Sequence, residues 1–218
     1  MRNFRSVACA IALLLGSAAA SAQEIYVPEE QQRQLFEAAQ QSEEPEIGGV
    51  VNLYSNVLAY SYPKDWVPVY QVRSPQLFMM EFIPYGEDVR TNWTQMLTIQ
   101  AIPQQVASRI ELSQFINGMA SSTRAGCAGQ STFDNLGAID IGGITAHRVT
   151  FACTDAESTE ATILQATKRQ GDLIIAIYAM RSTPDENGEP LMTETEQAYF
   201  ISLLDRMRLS DATGAQAN

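Results

Sequence analysis

The stretch Tyr60-Ser-Tyr-Pro-Lys-Asp-Trp66, continuing through Phe78-Met-Met-Glu-Phe-Ile-Pro-Tyr-Gly-Glu87 to Asn92-Trp-Thr-Gln-Met-Leu-Thr-Ile-Gln-Ala101, decides the fold. A period of two runs through it. Phe78, Met80 and Phe82 fall on one side of an extended chain, and Leu77, Met79, Glu81 and Ile83 on the other. A strand that is largely apolar on both sides needs a layer over each. Before it, Tyr54, Asn56, Leu58, Tyr60 and Tyr62 alternate up to the turn Pro63-Lys-Asp65, and residues 66–72 form a strand that Pro68 pushes towards a sheet edge. Residues 94–102 close the group at Pro103. The reading is an antiparallel meander whose tip, residues 85–93, joins its last two strands.

Downstream, Ser108-Arg-Ile-Glu111 has the form of a capping box. It stands before Leu112, Phe115, Ile116 and Met119, which share one helix face, and Gly126 is the stop. Four strands follow near 131–141, 144–153, 161–168 and 173–180, with Gly142-Gly143 and Gly171-Asp172 as hairpin turns. After a polar loop at 183–190, Thr193-Glu-Thr-Glu196 caps a final helix carrying Phe200, Leu203, Leu204 and Met207. Strands, long helix, strands and final helix predict an α+β fold: one antiparallel sheet flanked by helices, an α/β/α sandwich over residues 50–210. Residues 23–49 read as a polar N-terminal helix and linker, and 211–218 as a frayed tail.

At the start, Arg2 and Arg5 precede an apolar run from Val7 to Leu15, and Ala20-Ser21-Ala22 supplies the small-residue exit of a secretory signal. The run falls short of the about 20 residues that a membrane helix takes. Cleavage after Ala22 leaves 196 of the 218 residues, and the loss of two arginines moves the formal charge from −11 to −13. No later stretch suits a membrane span. So acidic a chain does not suit nucleic acid or anionic lipid surfaces, both of which draw basic patches.

Cleavage also removes Cys9, leaving Cys127 and Cys153. An even pair in an exported chain predicts a disulfide closing a loop of 25 intervening residues. With one histidine, His147, and no C-x-x-C, zinc has too few ligands, and no metal or cofactor is expected. The rival role for either cysteine is a thiol nucleophile with His147 as its base. Asp155, Glu157 and Glu160, and again Asp185, Glu186 and Glu189, cluster without the residue order of a calcium loop and read as solvated loops.

The tip concentrates Tyr85, Glu87, Asp88, Arg90, Asn92 and Trp93, residue types that dominate binding hot spots. It is the candidate partner-binding surface, and the competing structural role is Trp93 folded back as a core cap. A carboxylate enzyme using Glu81, Glu87 or Asp88 is the rival reading. It requires two acids in one concave pocket with pKa values pushed apart. A third reading holds an apolar ligand between sheet and helix.

The order of elements, with the Tyr60-Ser-Tyr-Pro-Lys-Asp-Trp66 opening, resembles the superfamily that includes PsbP-like proteins and the Mog-type Ran-binding factors. The resemblance spans residues 53–209, and residues 87–100 are similar to a stretch of uncharacterised exported bacterial proteins with this layout. It implies a binding or assembly module in place of a shared catalytic site. The photosynthetic relatives' metal and photosystem contacts have no counterpart motif here. Together these readings predict an exported, non-enzymatic accessory protein of the bacterial periplasm whose partner is another periplasmic or envelope protein.

Overall fold

Alternating β-branched and aromatic residues make this chain mostly β. In the computed structural model, which describes residues 23–155, 158–182 and 192–212, half of the described residues are strand and 24% helix. In chain order the elements are β1 (Gln23–Tyr26), α1 (Glu29–Gln40), β2 (Glu46–Leu53), β3 (Asn56–Pro63), β4 (Trp66–Arg73), β5 (Phe78–Pro84), β6 (Gln95–Ile102), α2 (Gln104–Ala107) and α3 (Leu112–Gly126). They continue with β7 (Gln130–Asp140), β8 (Thr145–Thr154), β9 (Thr159–Arg169), β10 (Asp172–Ser182), α4 (Glu194–Asp205) and β11 (Arg208–Asp211). Eight strands form one antiparallel sheet in the order β1-β4-β5-β6-β10-β9-β8-β7, and three form a second, β11-β3-β2. The leader assigned to residues 1–22, the loop at 183–190 and most of the tail lie outside the described residues.

This arrangement overturns the α/β/α sandwich. Both sides of the large sheet are indeed covered, but one covering layer is itself largely sheet. The alternation of Asn56, Leu58, Tyr60 and Tyr62 does not join the meander. It turns at Tyr54, whose φ is +54°, and pairs back on 46–53 with Leu53 opposite Asn56. The hairpin then lays Leu53, Leu58, Tyr60 and Tyr62 against Phe78 and Phe82, while α4 fills the rest of that layer with Phe200, Leu203 and Leu204. Tyr178 joins the two sheets: its hydroxyl donates to Ser61 O at 3.0 Å and its ring stacks on Phe200 with centroids 4.8 Å apart.

The opposite face of the large sheet is divided. Over β8–β10, Phe115, Ile116 and Met119 of α3 pack on Val149, Phe151, Leu164, Ile175 and Ile177. Over β4–β6, the covering comes from Trp93, Val89 and Phe36. Cys127, at the C-terminal end of α3, is bonded to Cys153 of β8 across 5.6 Å between Cα atoms. The bond restrains the unfolded chain by about 3 kcal/mol for a loop of this size and suggests an exported protein, since such bonds persist in oxidising compartments.

The capping box read at Ser108–Glu111 does not form. Ser108 ends α2, its N–H donating to Gln104 O, and Glu111 precedes α3 without a side-chain cap. The box at Thr193 does form. Asp172 anchors the first residue of α2. Its buried Oδ1 accepts from Gln104 N at 2.8 Å, and Oδ2 accepts from Ser55 N and Asn56 Nδ2, both at 3.0 Å. One carboxylate thus fastens the β2–β3 turn and α2 to the β9–β10 turn. Asp172→Ala strands three donors, of which Asn56 Nδ2 belongs to a fully buried residue, and we expect a loss of about 3 kcal/mol, lowering the Tm by about 10 °C. Asp172→Asn, which keeps one acceptor oxygen, should lose roughly half as much. Thermal unfolding followed by circular dichroism measures both, and an unchanged Tm for the alanine variant would remove Asp172 from this role.

Candidate functional site

The turn between β5 and β6 is built from its own polar side chains. Asn92 Oδ1 accepts from Asp88 N at 2.9 Å, and Asp88 Oδ1 accepts from Arg90 N at 2.8 Å. The Glu87 carboxylate accepts from Thr94 N at 2.7 Å and Thr94 Oγ1 at 2.5 Å. Gly86, with φ at +93°, takes a conformation that side chains resist. Trp93 anchors the turn from beneath: it is 4% exposed among Val67, Val69, Ile83, Met96 and Ala179. The Arg181 guanidinium lies 4.0 Å over its ring and is itself paired with Glu160 at 2.9 Å. Trp93 therefore supports the surface from inside, while Tyr85, Glu87, Asp88 and Arg90 form it.

Facing these residues across a cleft of about 440 Å³ are Tyr26, Val27, Glu29 and Gln32, with Val69 as floor. The N-terminal wall is held by a few specific contacts. Gln32 Nε2 donates to Val27 O at 2.8 Å, Phe36 stacks on Tyr85 with centroids 4.4 Å apart, and Arg90 stands 5.6 Å over the Tyr26 ring. Arg90 also bonds Asp88, at 3.2 and 3.1 Å, and that hydrogen-bonded guanidinium holds the Asp88 carboxyl below the usual carboxylate range. The cleft thus offers two tyrosine rings, one arginine and three carboxylates, of which Glu29 has no bonded partner among the described residues.

Sequence reasoning found the turn and missed the facing wall. Tyr26 and Glu29 fall in a segment read as a polar helix and linker, and only the short run Ile25-Tyr26-Val27 hinted at a strand.

The three acids of the rival enzyme reading do not meet. Glu81 lies inside β5, cross-strand from Tyr70 and Thr98, and does not line the cleft. It is 7% exposed, and no hydrogen bond or ion pair reaches its carboxyl among the described residues. Burial pushes its carboxyl up to about 7. Beside it on β6, buried Gln100 donates to Met79 Sδ at 3.1 Å and leaves its Oε1 without a partner. The remaining candidates are engaged elsewhere. The disulfide occupies both cysteines that might have used His147, which sits half-buried on β8. Asp155 Oδ1 accepts from Ser158 N at 2.8 Å. Glu157, Asp185, Glu186 and Glu189 lie outside the described residues. Among the described residues no three side chains of metal-binding type converge, and no helix is long and apolar enough to cross a membrane.

Fold and site together define a disulfide-closed, two-sheet protein with a surface cleft beside its N-terminal strand. No family model and no curated protein matches the sequence. Solved structures similar to the chain include LpqN, involved in cell envelope biogenesis of Mycobacterium tuberculosis, at 11% identity and a TM-score of 0.38, covering 79% of this chain and 95% of that one. A Pseudomonas aeruginosa protein of unknown function, PA94, is similar at 8% identity and 0.37, covering 78% and 99%. The immunity protein TplEi of the Pseudomonas aeruginosa T6SS, complexed with "L" peptide, is similar at 10% identity and 0.39, covering 86% and 87%. Likeness at this level carries neither family nor function. Membership of the PsbP-like or Mog-type group is not established, and the α/β/α layout behind that resemblance has given way to two sheets.

Glu81 yields a pH prediction. Its folded-state pKa lies above the ordinary value of 4.5, so the folded protein holds this proton more tightly than the unfolded chain. The contribution to stability is full below about pH 4.5 and is lost as the pH rises through about 7, by about 3 kcal/mol in total. Glu81→Gln should abolish this decline and be the more stable form at pH 8. Urea unfolding at pH 5 and pH 8 checks it, and parallel pH dependence in both proteins would contradict it.

Proposed function

We propose that this chain is an exported accessory protein of the bacterial periplasm that docks an envelope protein through the cleft between the 85–90 turn and the N-terminal segment. The observation that carries the reading is the pairing of a rigid wall with a lightly held one. The turn is braced by its own hydrogen bonds and by Trp93, whereas α1 contributes no buried residue. Rigid aromatic and arginine side chains around a concavity are the groups that hold a protein partner best. A carboxylate enzyme fits less well, since Glu81 is separated from the cleft and Glu87 is committed to Thr94. An apolar ligand between α3 and the sheet would compete for space with Phe115, Ile116 and Met119, which already pack there.

Photocrosslinking from position 85 in the native host tests the docking surface, because Tyr85 lines the cleft whereas Trp93 is buried. A dominant protein adduct, lost in an Arg90→Glu variant of unchanged fold, is the expected outcome. No adduct from position 85, nor from position 26 on the facing wall, would remove the cleft as a docking surface.

A further inference from the structure

The large sheet ends at β1, and among the described residues no strand pairs with its outer side. Val27 N donates to Val69 O at 3.0 Å, continuing the pairing of Tyr26 with Tyr70 and Ile25 with Gln71. Backbone groups alternate along an antiparallel ladder. With Val27 turned inward, Ile25 and Gln23 face β4, and the N–H and C=O of Glu24 and Tyr26 point away from the sheet. All four residues of β1 are exposed, Ile25 at 42% and Tyr26 at 53%.

We propose that this edge receives an extended, lysine- or arginine-bearing segment of a partner protein as a ninth strand, a mode that rests on the docking role assigned to the cleft. Main-chain hydrogen bonds to Glu24 and Tyr26 supply the pairing, and the side chains opposite them supply the selection. A residue added opposite Tyr26 shares its face of the sheet and so points to the cleft that Tyr26 lines. There and opposite Glu24, the carboxylates of Glu24 and Glu29, which have no bonded partner among the described residues, favour a cation.

Charge also chooses between occupants. A second copy of a chain with net charge −11 brings acid against acid, whereas a basic segment is complementary. The edges at β7 and β2 lack this combination. β7 is bulged between Asn135 and Gly137, which twists an edge away from pairing. β2 exposes Val50, but its Glu46 is already paired with Arg206 at 2.5 Å.

The test uses mature protein, residues 23–218, and a fluorescent heptapeptide alternating lysine with valine, followed by anisotropy. A twin peptide N-methylated on its lysine nitrogens keeps the charge and side chains but cannot pair with its lysines opposite Glu24 and Tyr26. Saturable binding is expected, with the methylated twin about tenfold weaker or worse. Glu24→Pro removes an outward N–H without touching the β4 ladder and should cost about tenfold, while Glu24→Gln, which loses only charge, should cost a few-fold. No saturable binding, or equal binding of both peptides by wild type and Glu24→Pro, would overturn strand addition. So would concentration-dependent dimerisation in sedimentation that Glu24→Pro abolishes, since a second copy would then hold the edge. The two readings fail separately. A native adduct from position 85 that survives Glu24→Pro undiminished leaves the cleft as a docking site and removes the added strand.

Discussion

Two sheets can stack only if something fixes where one sits on the other, and here a single buried carboxylate does much of it. Asp172 is 1% exposed and accepts three hydrogen bonds from two distant segments. Apolar contact between the sheets is non-directional and would tolerate a slip, whereas an unsatisfied buried carboxylate would not. Asn56 extends the arrangement: it is fully buried, its Oδ1 accepts from Arg169 at 2.8 Å, and its Nδ2 also reaches Arg169 O at 3.2 Å. The β9–β10 turn is shaped to present these groups, with Gln170 and Gly171 both at positive φ. Register in the small sheet, and therefore which side chains of β2 and β3 face the core, follows from this one end.

At the far side of the same layer a second buried charge is handled in another way. Arg148 of β8 is 5% exposed and donates to Gln165 at 2.5 Å and to Asp205 at 2.6 Å, fixing the last turn of α4 to the sheet. Gln165 Nε2 reaches Leu204 O at 3.4 Å, so the C-terminal end of that helix is tied twice. A cation at a helix C-terminus is favoured by the local dipole as well as by its carboxylate. Glu81 has neither kind of compensation, and the contrast explains why its carboxyl is displaced upward by burial alone. Paired charge holds this fold together, and the unpaired one weighs against it as the pH rises.

How far the sequence could be read depended on whether a pattern had one physical solution. Leu173-Ile-Ile-Ala-Ile-Tyr-Ala179 is apolar throughout and can only be a strand covered on both faces, which β10 is. The cysteine pair, set at a helix end and on the helix-facing side of a strand, likewise had one geometry. The alternation of residues 54–62 had two, since period two describes a strand without saying which sheet it joins. The deciding features, a positive φ at Tyr54 and a side chain reaching from Asp172 more than a hundred residues away, leave no local trace. The turn read at Gly171-Asp172 lies one residue earlier, at Gln170-Gly171, and Asp172 opens β10 opposite Arg169, a place from which nothing local announces its second task. For the site, the turn announced itself by composition, but the wall facing it is made of exposed residues whose apposition only the folded chain creates.

The walls of the cleft differ in how they are held, and this bears on what the cleft does. The turn side rests on Trp93, with its cation–π contact to Arg181, and on two bonds to Glu87. Displacing it means exposing a buried indole, at a cost of several kcal/mol. On the N-terminal side β1 is laddered to β4, whereas α1 rests on the Phe36–Tyr85 stack and one amide bond, contacts worth about 1 kcal/mol each. No residue of α1 is buried, so little apolar surface opposes its separation. A ligand entering the cleft would therefore widen it by moving α1 rather than the turn. α1 follows β1 after only Val27 and Pro28, but β1 keeps its own ladder to β4, so the element that gives way adjoins the sheet edge without being part of it. The two surfaces meet at Tyr26, which belongs to the edge strand and also lines the cleft.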